Sequence, residues 1–446
     1  MSDTPVLSKQ SEPASIDKLT IFANEGGDST DIANGISQFQ YHESILQDSI
    51  RVTVLFGDTG NAVNGKTAME GLPIVGTEKV KLVFRDNREE KLELDLYVNK
   101  ATPISESSTK NLVQLDLVSK EFILNEKARL NKRFDGKISD HISRILTNGN
   151  RNGLGTDKDV DIEETSNNYS FFGNNKKPYY TMNWLCKMSV SAENQKDGDS
   201  AGYFFYETAD GFKFKSIDGL LGQEQKKSII FNDSPDKESL PKGYDIKALR
   251  FDRDNKVDVQ RKFEMGAFAS RTVLFDPFSC FYEVVTLSAE EKEANLKLGG
   301  KELPKFNPEF ESSDPKKEFS RTTYYLLDTG TLPSGSTQQQ LDKSREQNFE
   351  VKKSLNQAIM RYNQLFSAAI SVTIAADTSL HAGDAIYVDS PELASDTKND
   401  NVSRQSGGLY IIADMCHYYT AKESLTQLNL VRDSIGRKGN HTTNRT

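Results

Sequence analysis

The sequence predicts a mainly β, α+β chain in which two small antiparallel β-barrels flank a mixed α+β unit. Three observations carry this. Residues 371–377, 380–388, 407–419 and 426–432 are β-branched, alternating segments joined by short turns, as a small antiparallel barrel requires. Residues 49–56, 79–84, 92–98 and 112–118 alternate in the same way with even spacing, which suggests a meander closing into a barrel. Between the two blocks the apolar spacing changes from the period of a strand to that of a helix.

Taken in chain order, residues 1–17 are polar, contain Pro5 and Pro13, and read as a disordered tail. Residues 18–118 make the first barrel domain. Residues 119–330 make the mixed domain. Ser119 is placed to cap a short helix over residues 121–126. Ile138, Ile142, Ile145 and Leu146 form the stripe of a second helix that Asn148 and Gly149 end. Residues 148–177 read as a loop rich in Asn, Gly and charge. A further helix over 181–191 carries Met182, Leu185, Cys186 and Met188, and Asp210-Gly211 between two aromatic runs is a hairpin signal. Residues 247–288 look β-like, and 288–319 read as an exposed charged insertion. Residues 331–438 then hold a long helix over 349–366, with Leu355, Ile359, Tyr362 and Phe366 on one stripe, and the second barrel. Residues 439–446 read as a frayed tail.

A chain of 446 residues is long for one core, and its 24 Phe and 16 Tyr suffice to build several despite a mean hydropathy of −0.60. No signal segment is visible at the N-terminus and no apolar run nears bilayer-spanning length, so a cytoplasmically made protein without a membrane partner is expected. Cys186, Cys280 and Cys416 are odd in number and far apart, which argues for reduced, mostly buried thiols rather than disulfides or a structural zinc. A net charge of −9 disfavours a nucleic-acid-gripping face.

Residues 60–67, Gly-Asn-Ala-Val-Asn-Gly-Lys-Thr, match the phosphate-loop pattern after a predicted strand. A nucleotide site needs a helix starting at Lys66, whereas Gly71 and Pro73 follow almost at once, so a hairpin loop is expected and a P-loop nucleotide-binding protein (Gly60 to Thr67) remains the alternative. A β-rich carbohydrate-binding module is a second alternative. His42, His141, His381, His417 and His441 show no metal-ligand spacing, and His141 and His417 read as packing or surface residues. Glu163-Glu164 and Glu290-Glu291 read as solvated surface, and Trp184 as a core anchor. No catalytic residue, cofactor or metal site is expected.

The ordered motifs resemble one family. Leu380-His-Ala-Gly-Asp-Ala-Ile-Tyr-Val388, Gly408-Leu-Tyr-Ile-Ile-Ala-Asp-Met-Cys-His417 and a strand ending Val431-Arg-Asp-Ser434 look like the last barrel of the baseplate central hub protein of contractile-tailed (T4-like) bacteriophages. That protein is related to the N-terminal half of type VI secretion spike proteins. Residues 39–45 and 70–78, the helical pieces at 134–140 and 183–185, the hairpin over 202–214 and the helix at 361–366 are similar to its first barrel, peripheral domain and final helix. The resemblance implies a structural virion protein with tube-forming barrels. It would form a homotrimeric ring joining the sixfold tail tube to the threefold central spike, in the tail baseplate, assembled in the host cytoplasm. The implied partners are the spike, tail tube or tube-initiator proteins and neighbouring wedge proteins, with DNA passing but not bound specifically. A ring would cover open strand edges, which points to Val52, Val54, Phe56, Leu425, Gln427, Asn429 and Val431 as subunit contacts. The run after the last strand, with Arg432, Asp433, Ser434 and Arg437, suits a hydrogen-bonded rim against the spike.

Overall fold

The structure is a computed structural model. It describes residues 15–60, 62–86, 88–107, 109–149, 152–192, 201–231, 243–253, 258–277, 280–288, 293, 296–305, 307–310, 320–348, 351–390 and 406–439. The tail calls for residues 1–14 and 440–446, with His441, and the Glu290-Glu291 pair lie outside them.

The first block contains β1 (Ser15–Phe22), β2 (Ser29–Asp31), β3 (Ile36–Ser44), β4 (Arg51–Asp58), the single helical turn α1 (Ala68–Gly71), β5 (Lys79–Arg85), β6 (Lys91–Glu106) and β7 (Asn111–Val118). β1 begins at Ser15, inside the stretch expected to be a tail, because Leu19 and Ile21 alternate into the core while the strand pairs with β5. The predicted alternation is real: Val52, Val54 and Phe56 point inward along β4, and Val80, Leu82 and Phe84 do so along β5.

The mixed unit runs through α2 (Lys120–Lys127), β8 (Arg133–Phe134), α3 (Ile138–Thr147), β9 (Val160–Ile162), β10 (Phe171–Phe172), α4 (Pro178–Cys186), β11 (Tyr203–Thr208), β12 (Gly211–Ser216) and α5 (Ile217–Gly222). α3 buries the four predicted apolar residues. α4 starts earlier than the apolar spacing indicated, since Pro178 occupies its first turn, where a missing N–H costs nothing. Residues 152–177 are more ordered than a loop: β9 lies parallel to β12, and β10 pairs with β8. Gly211 opens β12 at φ +127°, and any Cβ there would meet the Asp159 carbonyl at 2.2 Å, so this close approach of β9 demands glycine.

The remainder comprises β13 (Lys227–Ile230), β14 (Ile246–Lys247), β15 (Arg250–Arg253), α6 (Val259–Met265), β16 (Ala269–Asp276), β17 (Phe281–Ser288), β18 (Arg321–Leu326), α7 (Thr337–Ser344), α8 (Val351–Leu365), β19 (Ala368–Ala375), β20 (Ala385–Asp389), β21 (Gly408–Thr420) and β22 (Ser424–Arg432). The four C-terminal segments read from the sequence each contain a strand. β13 to β15 join them, β13 beside β20 and β15 beside β19. Within the expected exposed insertion, Leu296, Leu298 and Leu303 are buried with Leu287 and Met360, so that part is packed. Phe366, expected on the apolar stripe, falls beyond the end of α8 and is exposed.

The two β blocks are parts of one 14-stranded sheet, and among the described residues no closed barrel forms. β21 explains the joining. Its 13 residues outrun any single partner, so one edge carries β20 along residues 408–411 and then β3 along residues 414–420, while the other carries β22. One apolar core consequently takes side chains from both ends of the chain, including Phe39, Val54 and Leu82 with Ile370, Tyr410 and Leu430. Phe39 stacks on Phe84 at 5.3 Å between ring centroids. Phe39→Ala is expected to destabilise the chain by about 3–5 kcal/mol. In native-state hydrogen exchange the amides of β4 and β22 should lose protection together, because β3 joins both blocks.

Candidate functional site

Where the three units meet, the structure builds its junctions from buried charge. Glu43 projects from β3 and is 1% exposed. Its Oε1 accepts from the Tyr41 hydroxyl at 2.5 Å, from the Ala209 amide at 2.8 Å and from His381 Nδ1 at 3.1 Å. Its Oε2 accepts from the Ala382 amide at 2.8 Å. Ala209 is in the turn between β11 and β12, and His381 and Ala382 precede β20, so one carboxylate ties all three units. Burial opposes ionisation of Glu43, but the bonds and charge of His381, with the Tyr41 and Ala382 donors, hold it below the ordinary glutamate value. For His381 burial favours the neutral ring, and Glu43, helped by Asp210, outweighs this and raises its pKa.

A second carboxylate, Glu207 on β11, accepts from the Ser119 hydroxyl at 2.8 Å and the Ile50 amide at 3.1 Å, with Lys158 on its other oxygen. Ser119 thus spends its hydroxyl on Glu207 and makes no side-chain cap on α2. Across the molecule, Arg361 of α8 is 1% exposed and donates to Asp433 and Asp218, each at 2.6 Å, and to the Lys297 carbonyl at 3.1 Å. Asp433 and Ser434 also accept from the Gly299 and Gly300 amides. Arg432 is 1% exposed over the Tyr410 ring, and Arg437 donates to the Tyr387 hydroxyl at 2.6 Å and to Asp389 at 2.7 Å.

These contacts relocate the residues expected at interfaces. Arg432, Asp433 and Ser434 are buried under residues 296–303, so their side chains form an internal clamp rather than a rim. Val52, Val54, Phe56 and Val431 are buried as well. β4 is paired on both sides, by β3 and β7, and β22 by β19 and β21, leaving neither strand a free edge. Gln427 and Asn429 are exposed and Leu425 is half-buried. Arg361, missed by the sequence reading, lies on what a helical projection assigns to the polar face of the amphipathic helix α8.

The phosphate-loop match folds as a turn. Asn64 and Gly65 are both left-handed, Val63 and Lys66 exchange backbone hydrogen bonds, and α1 is one turn long. The Asp58 carboxylate accepts from the Gly60 and Ala68 amides, placing an anion where a phosphate would sit. Asn61 is outside the described residues. Glu163, expected to be solvated, accepts from the Ser191 and Ser216 hydroxyls and the Ser216 amide, while Glu164 is exposed beside Lys137. Cys186 is buried but Cys280 is exposed. His141 is buried against the Tyr169 carbonyl at 2.8 Å. His417 Nδ1 lies 2.8 Å from the Thr426 hydroxyl, with its ring stacked on Tyr41, and burial pushes its pKa down to about 4. Trp184 packs edge-on against Tyr169 and Phe171. Among the described residues no group of three or more His, Cys, Asp and Glu could hold a metal, and no helix is long and apolar enough to cross a membrane.

This arrangement has solved counterparts. The tail protein from Neisseria meningitidis MC58 superposes with a TM-score of 0.50 at 9% identity, over 93% of this chain and 96% of its own. The 43 kDa tail protein of prophage MuSo2 from Shewanella oneidensis does so with a TM-score of 0.51 at 10% identity, over 94% and 99%. The chain has a phage tail-protein fold. The resemblance seen in the sequence motifs therefore holds for the architecture of nearly the whole chain. No family model matches the sequence, and no curated protein matches it significantly.

Arg361→Ala strands two buried carboxylates and is expected to cost about 3–5 kcal/mol in urea unfolding. The His381–Glu43 pair has a defined pH window. A raised histidine pKa contributes stability that is fully present below the ordinary histidine value and lost as pH rises through the raised one. A lowered glutamate pKa contributes stability lost only in stronger acid. The stability gap between wild type and His381→Gln should therefore shrink as pH rises from about 6 to about 9. A gap that widens over that range would contradict the charged pair.

Proposed function

We propose that the protein is a structural subunit of a phage tail baseplate, acting as a hub that joins tail tube to central spike. The observation that carries the reading is the likeness of fold to two tail proteins along nearly their whole length and this chain's. The interior agrees with such a role. Load-bearing parts of a tail need rigid sheets whose register cannot slip, and the 14-stranded sheet is pinned by buried charge at each junction.

In this reading three copies form a ring, and the blocks before and after the mixed unit act as paired, barrel-like walls that present near-sixfold symmetry to the tube. Spike, tube or tube-initiator and wedge proteins are the partners, and DNA crosses without being gripped, in keeping with the net charge of −9. The protein has no enzymatic activity in this role. Sedimentation of the full chain with and without its spike protein tests the ring. A trimer is expected, and a chain that stays monomeric in both conditions overturns it. Calorimetry with Mg-ATP should give no binding heat, since Asp58 occupies the anion position of the Gly60 to Thr67 turn.

A further inference from the structure

His381 differs from the other buried histidines in what its ring faces. Its Nδ1 lies 3.1 Å from the Glu43 carboxylate and its Nε2 lies 3.7 Å from the Asp210 carboxylate. His141 and His417 instead face neutral oxygens, the Tyr169 carbonyl and the Thr426 hydroxyl. A neutral imidazole carries one N–H and one bare nitrogen, so it can face only one carboxylate favourably. Two carboxylates on opposite sides of the ring call for the imidazolium.

The two carboxylates are unlike. Glu43 is buried, and losing the ring N–H would leave a buried anion short of a donor. The Asp210 side chain is 61% exposed, so water can take the place of the ring. Loss of the ring proton therefore falls on Asp210. The remaining proton stays on Nδ1 for Glu43, and the bare Nε2 lone pair then faces the Asp210 oxygen.

Asp210 belongs to the turn between β11 and β12. The segment it faces, residues 380–384, is held without it. There the Gly383 amide donates to the Ile412 carbonyl at 2.8 Å, the His381 amide to Asp384 at 2.8 Å, and Gln223 to the Gly383 carbonyl at 2.5 Å. Two polar ties reach back from the turn, the Ala209 amide on Glu43 and Asp210 beside His381. The turn also stands between two clefts of about 350 Å³ and about 420 Å³, and Thr208 and Asp210 line both. It has room to move on either side.

We propose that His381 is a proton-operated latch on the β11–β12 turn: the imidazolium holds Asp210, and with it the mixed unit's turn, against the second β block, and loss of the proton releases the turn into the clefts. Burial opposes the charged ring, as does Lys226, which pairs with Asp384 at 2.8 Å. Glu43 and Asp210 outweigh both. The latch is thus closed below the ordinary histidine value and opens as pH rises through a higher one. Other charges near the ring are committed. Asp161 pairs with Lys213 and Lys215 across the cleft, where Lys297 adds a further cation. Tyr41 donates to Glu43, and burial keeps His417 neutral. The latch acts within one copy and is independent of the ring.

The test follows the full chain, labelled at its histidines, by NMR titration and amide hydrogen exchange. The His381 midpoint should lie above the ordinary value of about 6.5. Exchange across residues 208–212, corrected for its intrinsic pH dependence, should become about two- to fivefold faster between pH 6 and pH 9, with the same midpoint. β4 and β22 should stay protected throughout. Asp210→Asn alters a mostly exposed side chain and should leave the fold intact. It should lower the His381 midpoint and make the corrected exchange of the turn independent of pH. A ring that only packs would leave that exchange flat in wild type as well. Turn protection that stays constant while His381 titrates overturns the latch. So does a His381 midpoint at or below the ordinary value, or an Asp210→Asn chain whose turn responds to pH as the wild type's does.

Discussion

One buried carboxylate sets the arrangement of the rest. Glu43 leaves water entirely, and an ionised group in that position is tolerable only if every lone pair is met by a donor. Its donors come from β3 itself, from the β11–β12 turn and from the segment entering β20. A shift of β3 against β21 by one residue would turn Glu43 to the opposite face of the sheet and leave the Ala209, His381 and Ala382 donors unmatched. The joining of the two β blocks and the seat of the mixed unit are therefore decided by the same atom pair.

Arg361 repeats this logic at the other end of the mixed unit. It draws Asp218 of α5, Asp433 beyond β22 and the carbonyl of Lys297 around one guanidinium. Buried ion pairs contribute little net stability, since desolvation offsets their attraction. Their effect is on specificity, because any packing that misplaces one partner leaves a charge alone in the interior. With five separate apolar clusters among the described residues, such clamps select one relative placement from many that would bury similar area.

The same features bear on function. Groups that could do chemistry are committed to structure: Glu43 to its four donors, Asp58 to the Gly60 and Ala68 amides, Glu163 to two serines, and His417 to a neutral, stacked position. Outward, the described residues present both the apolar sheet face of β16 to β18 and a polar cleft lined by Asp161, Lys213, Lys215, His381 and Asp384.

Much of this was legible in the sequence, and the boundary is physical. Alternation along 49–56 and 426–432, the stripe of α3 and the hairpin around Asp210 depend on local periodicity, which a chain carries in its residue order. The order of motifs likewise sufficed for the tail-protein resemblance. Which strands become neighbours did not follow, because alternation states which face of a strand is buried but not which edge is paired. Hence β4 and β22 read as possible edges and are interior, while residues 296–303 read as exposed and cover Asp433. Arg361, Asp433 and Glu43 were equally invisible, since a charged residue in sequence reads as surface until its partner, tens to hundreds of positions away, is brought beside it. Local pattern alone determined the elements and the kinship of the fold; only the tertiary structure decided the edges, the clamps and the face left open, because those depend on contacts between residues that sequence does not make adjacent.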